Sequence, residues 1–238
     1  MIVKSLSVFF PAYNEGENIK KTVLDVKKVL DGLNLKDYEI IVVNDGSKDN
    51  TAEVVTNLTK QDKRIRLVGH SSNKGYGDAL KTGFSSSKYS WVAFMDSDGQ
   101  FDFSEITKFL EKADQADLIL GYRLTRADTI LRKVFTWGWK TLAEIFLGLQ
   151  VRDYSCGFKM IKREVFDSIQ PLHAKEKVTQ IEMLVKAQRK GFKFAEVGVH
   201  HYPRKFGLAT GANFYVVLRS FRDFMKFWLE LNFNKQKA

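Results

Sequence analysis

Cysteine, proline and histidine are scarce in this sequence, which has one, three and four of them among 238 residues. The single cysteine, Cys156, cannot form a disulfide within the chain, so we expect a reducing compartment such as the cytosol. Pro-rich, Ser-rich or like-charged stretches and internal repeats are also missing, which argues against a disordered linker or a repeat protein. At this length the sequence predicts one large domain with a full hydrophobic core.

Segments typical of secretion or membrane insertion are not found either. The first apolar run, residues 6–10, is followed by no small-residue cleavage site, so we interpret it as a strand and not as a secretion signal. Residues 214–231 have apolar side chains at helical spacing, but they include five charged residues, which excludes an ordinary transmembrane span.

The charge is strongly positive, with a formal net charge of +10 and an isoelectric point near 9.5. Such a charge suits nucleic acids, anionic membrane surfaces or phosphorylated ligands. Zinc-finger spacings and aromatic ribonucleoprotein motifs are missing, so we expect no nucleic acid partner.

The first half of the chain alternates short apolar runs with helical patterns, which is typical of an α/β fold with a mainly parallel sheet flanked by helices. Strands are predicted at 6–10, 39–43, 65–68, 91–95 and 118–120, and helices at 18–30, 51–59, 77–86 and 103–113. In the second half we predict helices at 129–147, about 180–190 and 214–231, and a strand at 192–199.

Polar clusters follow three of these strands, at residues 11–15, 44–50 and 96–99. Ligands of parallel α/β sheets bind beyond the carboxyl ends of the strands, so the three clusters are expected to converge on one edge.

Asp96 and Asp98 flank one residue at a strand end, and in extended backbone both carboxylates point to the same side. Two such groups repel unless a cation or a proton lies between them. Oxygen ligands favour Mg²⁺ or Mn²⁺, and Gln100 offers a further carbonyl oxygen. The alternative is a pair of solvated loop acids.

Other polar residues at this edge are candidates for binding a nucleotide. Asp45 follows a buried run and is placed to hold a ribose hydroxyl or a base edge, although a capped loop is an equal alternative. Pro11, Tyr13 and Glu15 are candidates for the wall of the same pocket, and they are also good turn residues. The glycine-containing turn at 73–77 could offer backbone amides to an anion.

Four motifs, PAYNE, VNDGSKDNT, NKGYGDALKTG and MDSDGQ, occur in this order between residues 11 and 100. Together they resemble the family 2 glycosyltransferases, which have the nucleotide-binding GT-A fold. The resemblance implies an inverting transferase of a nucleotide-diphosphate sugar that depends on Mg²⁺ or Mn²⁺. It also implies a nucleotide site formed by Pro11, Tyr13, Glu15, Asp45 and Asp96, and a metal site formed by Asp96, Asp98 and Gln100.

The second half of the chain resembles, more narrowly, the dolichol-phosphate mannose synthases and bacterial polyprenyl-phosphate hexosyltransferases. The resemblance rests on GYR at 121–123, on Arg132 and Thr136, and on DYSCGFKMIKREV at 153–165. It implies that Arg123, Arg132 and Thr136 bind the phosphate of a polyprenyl acceptor, and that Asp96, Asp98, Arg123 and Arg132 are catalytic. For each arginine, a solvated surface position is the alternative.

The sequence leaves the chemical class of the acceptor open. A phosphate oxygen is already ionised near neutral pH and needs no strong base, whereas a sugar hydroxyl of a cell-surface glycan needs one. Glu182 is the candidate base, and an exposed helix acid is its alternative interpretation. A catalytically silent nucleotide-binding protein is a third alternative, and the intact metal motif argues against it.

Residues 200–211 resemble the loop that closes over the nucleotide sugar in the polyprenyl enzymes, with Arg204 and Gly207 matching. A lysine expected from the family is replaced at 209–210, and Lys205 is the candidate substitute. Closure of such a loop excludes water from the donor.

We expect a catalytic domain at 1–212 and an amphipathic helix within 213–238. The helix either packs on its own domain or docks on an anionic membrane, which would place the protein at the cytoplasmic, inner face as a peripheral protein. The sugar, the base and the oligomeric state are left open by the sequence.

Overall fold

The computed structural model describes residues 3–125, 130–207 and 214–233, without the side chains of 130–136 and 214–218. Its strands are β1 (Ser5–Ala12), β2 (Asp37–Asp45), β3 (Ile65–His70), β4 (Trp91–Met95), β5 (Leu118–Arg123), β6 (Phe158–Lys162) and β7 (Phe194–Val199). Its α-helices are α1 (Gly16–Asp31), α2 (Thr51–Gln61), α3 (Tyr76–Ser86), α4 (Ile106–Leu110), α5 (Ile130–Leu147), α6 (Arg163–Ser168), α7 (Val178–Arg189) and α8 (Phe214–Phe233).

The strands form one sheet with the order β3-β2-β1-β4-β6-β5-β7. Strand β6 runs antiparallel to both of its neighbours, and the other strands share one direction. The carboxyl ends of β1, β2 and β4 therefore meet at one edge, as the sequence predicts, and this edge carries the three polar clusters.

The predicted elements are confirmed, with two differences. Strand β6 and the short helix α6 were not predicted, because a charged residue, Lys159, interrupts the apolar run of the strand although its side chain is fully buried. The helix predicted at 103–113 is shorter than expected, since a 3₁₀ turn at Phe103–Glu105 precedes α4.

Aromatic side chains pack on both faces of the sheet. On one face, Phe9 contacts Phe84 and Phe94 with ring centroids 5.1 and 5.5 Å apart. On the other face, Phe158 of β6 stacks on Phe109 at 4.5 Å. Such pairs add specific geometry to the burial of large apolar surfaces, so the central strands are held rigidly beneath the edge that carries the polar clusters.

Helix α8 packs on the domain with one face and exposes apolar side chains on another. Phe224 and Phe227 are buried in the core, and Phe224 contacts Trp139 of α5. An exposed row follows at four-residue spacing, formed by Phe221, Met225, Leu229 and Phe233. Within the described ranges, we find no helix that is both long and apolar enough to cross a bilayer.

Candidate functional site

A pocket of about 400 Å³ opens at the carboxyl ends of β1, β2 and β4. This volume falls within the range of ligand pockets for small molecules. All the residues that the sequence assigned to the nucleotide and the metal line it, namely Pro11, Tyr13, Glu15, Asp45, Asp96, Asp98 and Gln100. The lining also includes Tyr76, Ser155, Glu176, Gln180, Arg204 and Arg219, among others.

The loops after β1 and β2 are cross-linked to each other. The amide of Asn14 donates to the Ser47 hydroxyl at 2.9 Å, and the Asn14 side-chain oxygen accepts from the amide of Lys48 at 2.8 Å. Asn14 has a positive φ of 56°, a left-handed conformation that asparagine tolerates better than most residues. These contacts fix the position of Tyr13 and Glu15 at the rim of the pocket.

Asp45 is buried, and both of its carboxylate oxygens accept hydrogen bonds from the protein. The amides of Lys74 and Gly75 donate to Oδ1 and Oδ2, each at 2.9 Å. His70 contacts Oδ1 through Nδ1 at 2.6 Å, and its Nε2 contacts the Thr82 hydroxyl at 2.9 Å. The amide of Gly75 is thus used inside the protein, and the expectation that it is offered to an anion is wrong, because a buried carboxylate lies within its reach.

Asp96 and Asp98 form the acidic part of the pocket. Asp96 accepts a hydrogen bond from the Tyr76 hydroxyl at 2.9 Å, and Asp98 accepts one from the amide of Gln100 at 3.2 Å. Burial, and next the negative charge of Asp96, raise the pKa of Asp98 to about 7, although Arg204 opposes the rise. The site therefore disfavours a second negative charge, as expected where a cation is to bind.

The donor set fits a hard divalent cation that shares its ligands with a phosphate. In the described ranges, no group of three His, Cys, Asp or Glu side chains is placed to hold a metal ion without help from a ligand. Two carboxylates are enough for Mg²⁺ or Mn²⁺, because these ions take several further ligands from water and substrate phosphates. The Gln100 Nε2 donates to the backbone oxygen of Tyr202 at 2.8 Å, so its amide oxygen remains the candidate ligand.

Arg204 joins the predicted loop to the acidic side of the pocket. Its guanidinium lies 2.7 Å from Glu15 Oε1 and 3.5 Å from Asp98 Oδ2. Gly207 has a φ of +78°, a left-handed conformation that favours glycine, and a Cβ there would lie 2.6 Å from Arg204 Nη2, so the guanidinium would have to move. Lys205 is exposed and is not part of the pocket lining.

The side chain of Arg123, at the end of β5, is buried and paired, and it is not part of the pocket lining. Its Nε and Nη2 donate to the two oxygens of Asp153 at 2.8 and 3.0 Å, and Nη2 also donates to the Ser155 hydroxyl at 2.7 Å. A solvated surface arginine is thereby excluded for this position. The side chains of Arg132 and Thr136 lie outside the described residues.

Glu182 does not line the pocket, and the expectation that it is an exposed helix acid is wrong. Its side chain is fully buried and accepts from the amides of His173 and Ala174 at 2.9 to 3.0 Å. Lys186, one turn later in α7, donates to it at 2.8 Å. The carboxylate thus holds the loop before α7 and has no described contact with the pocket.

We therefore expect Glu182→Gln to lower the free energy of unfolding by about 1.5–3 kcal/mol, the usual value of hydrogen bonds to a charged group. The turnover number should stay within a few-fold of the wild type, whereas loss of a catalytic base would cost about 10²–10⁴-fold. Urea unfolding and initial rates measure the two effects. Glu144→Gln, at a half-exposed position of α5, is the matched control and should leave both unchanged.

Several pocket residues were not predicted from the sequence, among them Tyr76, Gln180 and Glu176. Tyr76 lies in the third motif, and Gln180 precedes Glu182 by two residues, but neither side chain is ionised at neutral pH. Glu176 is buried at the pocket, burial raises its pKa, and Arg219 of α8 lies 3.8 Å away. Their role depends on contacts between distant segments, which spacing along the chain does not reveal.

Comparisons with known proteins agree with this geometry. Residues 7–170 match the family described as Glycosyl transferase family 2. The chain is 33% identical over 214 residues to a dolichyl-phosphate beta-glucosyltransferase of Dictyostelium discoideum, covering 82% of this chain and 65% of that protein. It is 31% identical over 208 residues to the glycosyltransferase AglD of Haloferax volcanii, covering 84% and 33%. The chain thus spans less than two thirds of either relative.

Among solved structures, the glucosyl-3-phosphoglycerate synthase of Mycobacterium tuberculosis superposes with a TM-score of 0.68. The two proteins are 19% identical, and the match covers 95% of this chain and 79% of the synthase. That structure is a complex with Mn²⁺, uridine diphosphate and glucosyl-3-phosphoglycerate. At this identity the likeness concerns the fold.

Proposed function

Because the chain belongs to glycosyl transferase family 2, we propose that it moves a hexose from a nucleotide-diphosphate sugar to a polyprenyl phosphate with inversion. Its fold is the GT-A fold that the sequence predicts. The observation that carries the proposal is the convergence of all the predicted nucleotide and metal residues on one pocket. The dolichyl-phosphate glucosyltransferase among its relatives supports the acceptor class.

On the donor side, Asp96, Asp98 and Gln100 hold Mg²⁺ or Mn²⁺ together with the diphosphate. When bound, the metal neutralises the charge that develops on the departing nucleoside diphosphate. Asp45 Oδ2 accepts one described protein hydrogen bond, and a carboxylate oxygen can accept a second from a base or ribose. The complex of the mycobacterial synthase with Mn²⁺ and uridine diphosphate supports this assignment.

On the acceptor side, Arg123 presents a guanidinium beside Ser155, which lines the pocket. The planar fork of a guanidinium suits phosphate, and an acceptor phosphate that uses the Nε and Nη2 donors of Arg123 has to take the place of the Asp153 carboxylate. A phosphate acceptor is consistent with the burial of Glu182 away from the pocket, since an ionised phosphate oxygen needs no strong base. The family resemblance assigns Arg132 and Thr136 to the same phosphate.

A second candidate is transfer to a sugar hydroxyl, and Glu176 is the observation that favours it. This carboxyl lines the pocket, and burial raises its pKa, as in many general bases. Under this alternative Glu176→Gln removes transfer to a glycan, whereas transfer to a polyprenyl phosphate should survive the substitution.

The experiment that tests the proposal uses radiolabelled UDP and GDP sugars with Mn²⁺ or Mg²⁺ and a short-chain polyprenyl phosphate. Metal-dependent label in the organic phase supports the proposal and identifies the sugar and the base. If no donor gives such label, the polyprenyl-phosphate proposal fails. Label on an added glycan would then favour a hydroxyl acceptor, and binding of nucleotide without any transfer would favour a silent binding protein.

We also propose that α8 docks the catalytic domain of residues 1–212 on an anionic membrane at the cytoplasmic face. Its exposed row, Phe221, Met225, Leu229 and Phe233, is accompanied by the cationic residues Arg219, Arg222 and Lys226. Apolar side chains beside basic ones are the pattern by which amphipathic helices bind anionic lipid surfaces.

We expect Leu229→Glu to reduce cosedimentation with anionic liposomes by roughly 10-fold, because it buries a charge and loses apolar area at the lipid surface. Leu229 is exposed, so the fold should be unaffected. Asn57→Glu, at an exposed position of α2, adds the same charge and should cosediment as the wild type does. Equal binding of wild type to neutral and anionic liposomes would contradict the docking proposal.

A further inference from the structure

Lys159 of β6 is a fully buried lysine at the centre of the domain. Its ammonium group donates to the backbone oxygens of Tyr154, at 2.9 Å, and of Cys156, and to the side-chain oxygen of Gln180. An ammonium group has three N–H donors, and these three acceptors satisfy all of them. Burying a lysine is costly unless it is so bonded, which makes a chance position unfavourable.

A chain of hydrogen bonds leads from Lys159 to the acidic pocket. The Gln180 oxygen accepts from Lys159, and the Gln180 amide nitrogen donates to the Tyr76 hydroxyl at 3.3 Å. Tyr76 in turn donates to Asp96 Oδ1 at 2.9 Å. Every donor in the chain points toward Asp96, so the buried positive charge polarises each bond toward the carboxylate.

The same ammonium group also holds the loop on the acceptor side. The carbonyls that it binds, those of Tyr154 and Cys156, flank Ser155. Ser155 and Asp153 of this loop bind the guanidinium of Arg123. One side chain is therefore linked to the donor-side carboxylate and to the loop that positions the acceptor-side arginine.

We propose that Lys159 is a positioning residue. Through Gln180 and Tyr76 it fixes the position of Asp96 relative to the acceptor-side loop at 153–156. The inference rests on the proposed function of the pocket. Groups that orient a metal ligand by hydrogen bonding typically change metal affinity by 10–100-fold when they are removed. The chain of hydrogen bonds therefore predicts that removing Lys159, Gln180 or Tyr76 weakens metal binding at Asp96 to a similar extent.

The first test measures binding of Mn²⁺ with UDP, and in parallel with GDP, by titration calorimetry. Tyr76→Phe and Gln180→Met should each weaken binding roughly 10-fold, and the double variant should be no weaker than the weaker single variant. Additive losses in the double variant, or wild-type affinity in Tyr76→Phe, would overturn the proposal. Absence of binding to the wild type would overturn the proposed function as well.

The second test separates the link from Lys159 to Asp96 from its link to the loop at 153–156. Lys159→Met should weaken Mn²⁺ and nucleotide binding as Tyr76→Phe does, and should in addition raise the KM for the polyprenyl phosphate, which Tyr76→Phe leaves unchanged. Lys162→Met, on the same strand but paired with Asp117 at its end, is the matched control and should alter neither value. An unchanged KM for the polyprenyl phosphate in a folded Lys159→Met variant overturns the proposed link between Lys159 and the acceptor-side loop. If Lys159→Met does not fold, the calorimetric comparison of Tyr76→Phe, Gln180→Met and the double variant decides.

Discussion

Asp98→Asn is expected to lower metal-dependent sugar transfer by roughly 10³-fold, because a metal contributes several kcal/mol of charge stabilisation at about 1.4 kcal/mol per factor of ten. The substitution preserves the size of the side chain and removes the negative charge that the cation requires. Transfer to polyprenyl phosphate and binding of Mn²⁺ with UDP or GDP measure the effect.

Unfolding does not account for such a loss, since the substitution should spare or raise stability. Burial and Asp96 raise the pKa of Asp98 to about 7, above its value in an unfolded chain. Its ionised form is thus disfavoured in the folded protein, and Asp98 costs stability as the pH rises from about 4 through 7. At pH 8 the melting temperature of Asp98→Asn should therefore equal or exceed that of the wild type.

Asp102→Asn is the matched control, because Asp102 lies four residues further on, outside the pocket lining. Its side chain caps a 3₁₀ turn by accepting from the amide of Ser104 at 2.9 Å, and asparagine caps as well as aspartate does. This variant should transfer sugar at the wild-type rate. Equal losses in both variants would mean that the effect does not come from a metal at Asp98.

The sequence predicts the donor side of the pocket well because its residues lie directly after strands. Asp45 and Asp96 each end or follow a buried apolar run, and parallel strands bring such positions to one edge whatever the loops do. The pocket contains both residues, as expected. The local sequence pattern was enough to predict these two positions, because the parallel topology of the sheet brings the strand ends together.

Contacts between distant segments were not predictable in the same way. Arg204 lies 189 residues from Glu15, and Arg123 lies 30 residues from Asp153, yet each pair makes a close ionic contact. Spacing along the chain carries no information on which carboxylate a given arginine meets. Charged residues were therefore assigned to ligands or to solvent, and their internal partners became visible only in the fold.

Lys159 shows a related difficulty. Lysines are almost never fully buried unless they are paired, so a charge within an apolar run argues against a buried strand. The structure buries this lysine because two backbone carbonyls and Gln180 surround its ammonium group. The hydrophobic pattern thus failed at β6, where the strand carries a polar network beside the pocket, as is common near functional sites.

Gly157→Ala is the second substitution for which we expect a large effect. Gly157 lies against Asp96, whose amide donates to its carbonyl at 3.0 Å. A Cβ at this position would lie 2.7 Å from Asp96 Oδ1 and closer still to Oδ2, so the carboxylate has to move. We expect Mn²⁺ and nucleotide binding to weaken by 10–100-fold, roughly the effect of disturbing a metal ligand. Overpacking should cost a further ~1–3 kcal/mol of stability.

Calorimetry and urea unfolding of the same variant separate these two effects, and Gly138→Ala is the matched control. Gly138 lies within α5, and a methyl group added there would meet no described atom within 4 Å other than those of its chain neighbours and its own helix backbone, so alanine should leave nucleotide binding unchanged. It should stabilise the helix by about 0.5–1 kcal/mol, the usual difference between glycine and alanine there. Wild-type affinity in Gly157→Ala would mean that Asp96 can move without losing the cation, and would remove it from the proposed metal site.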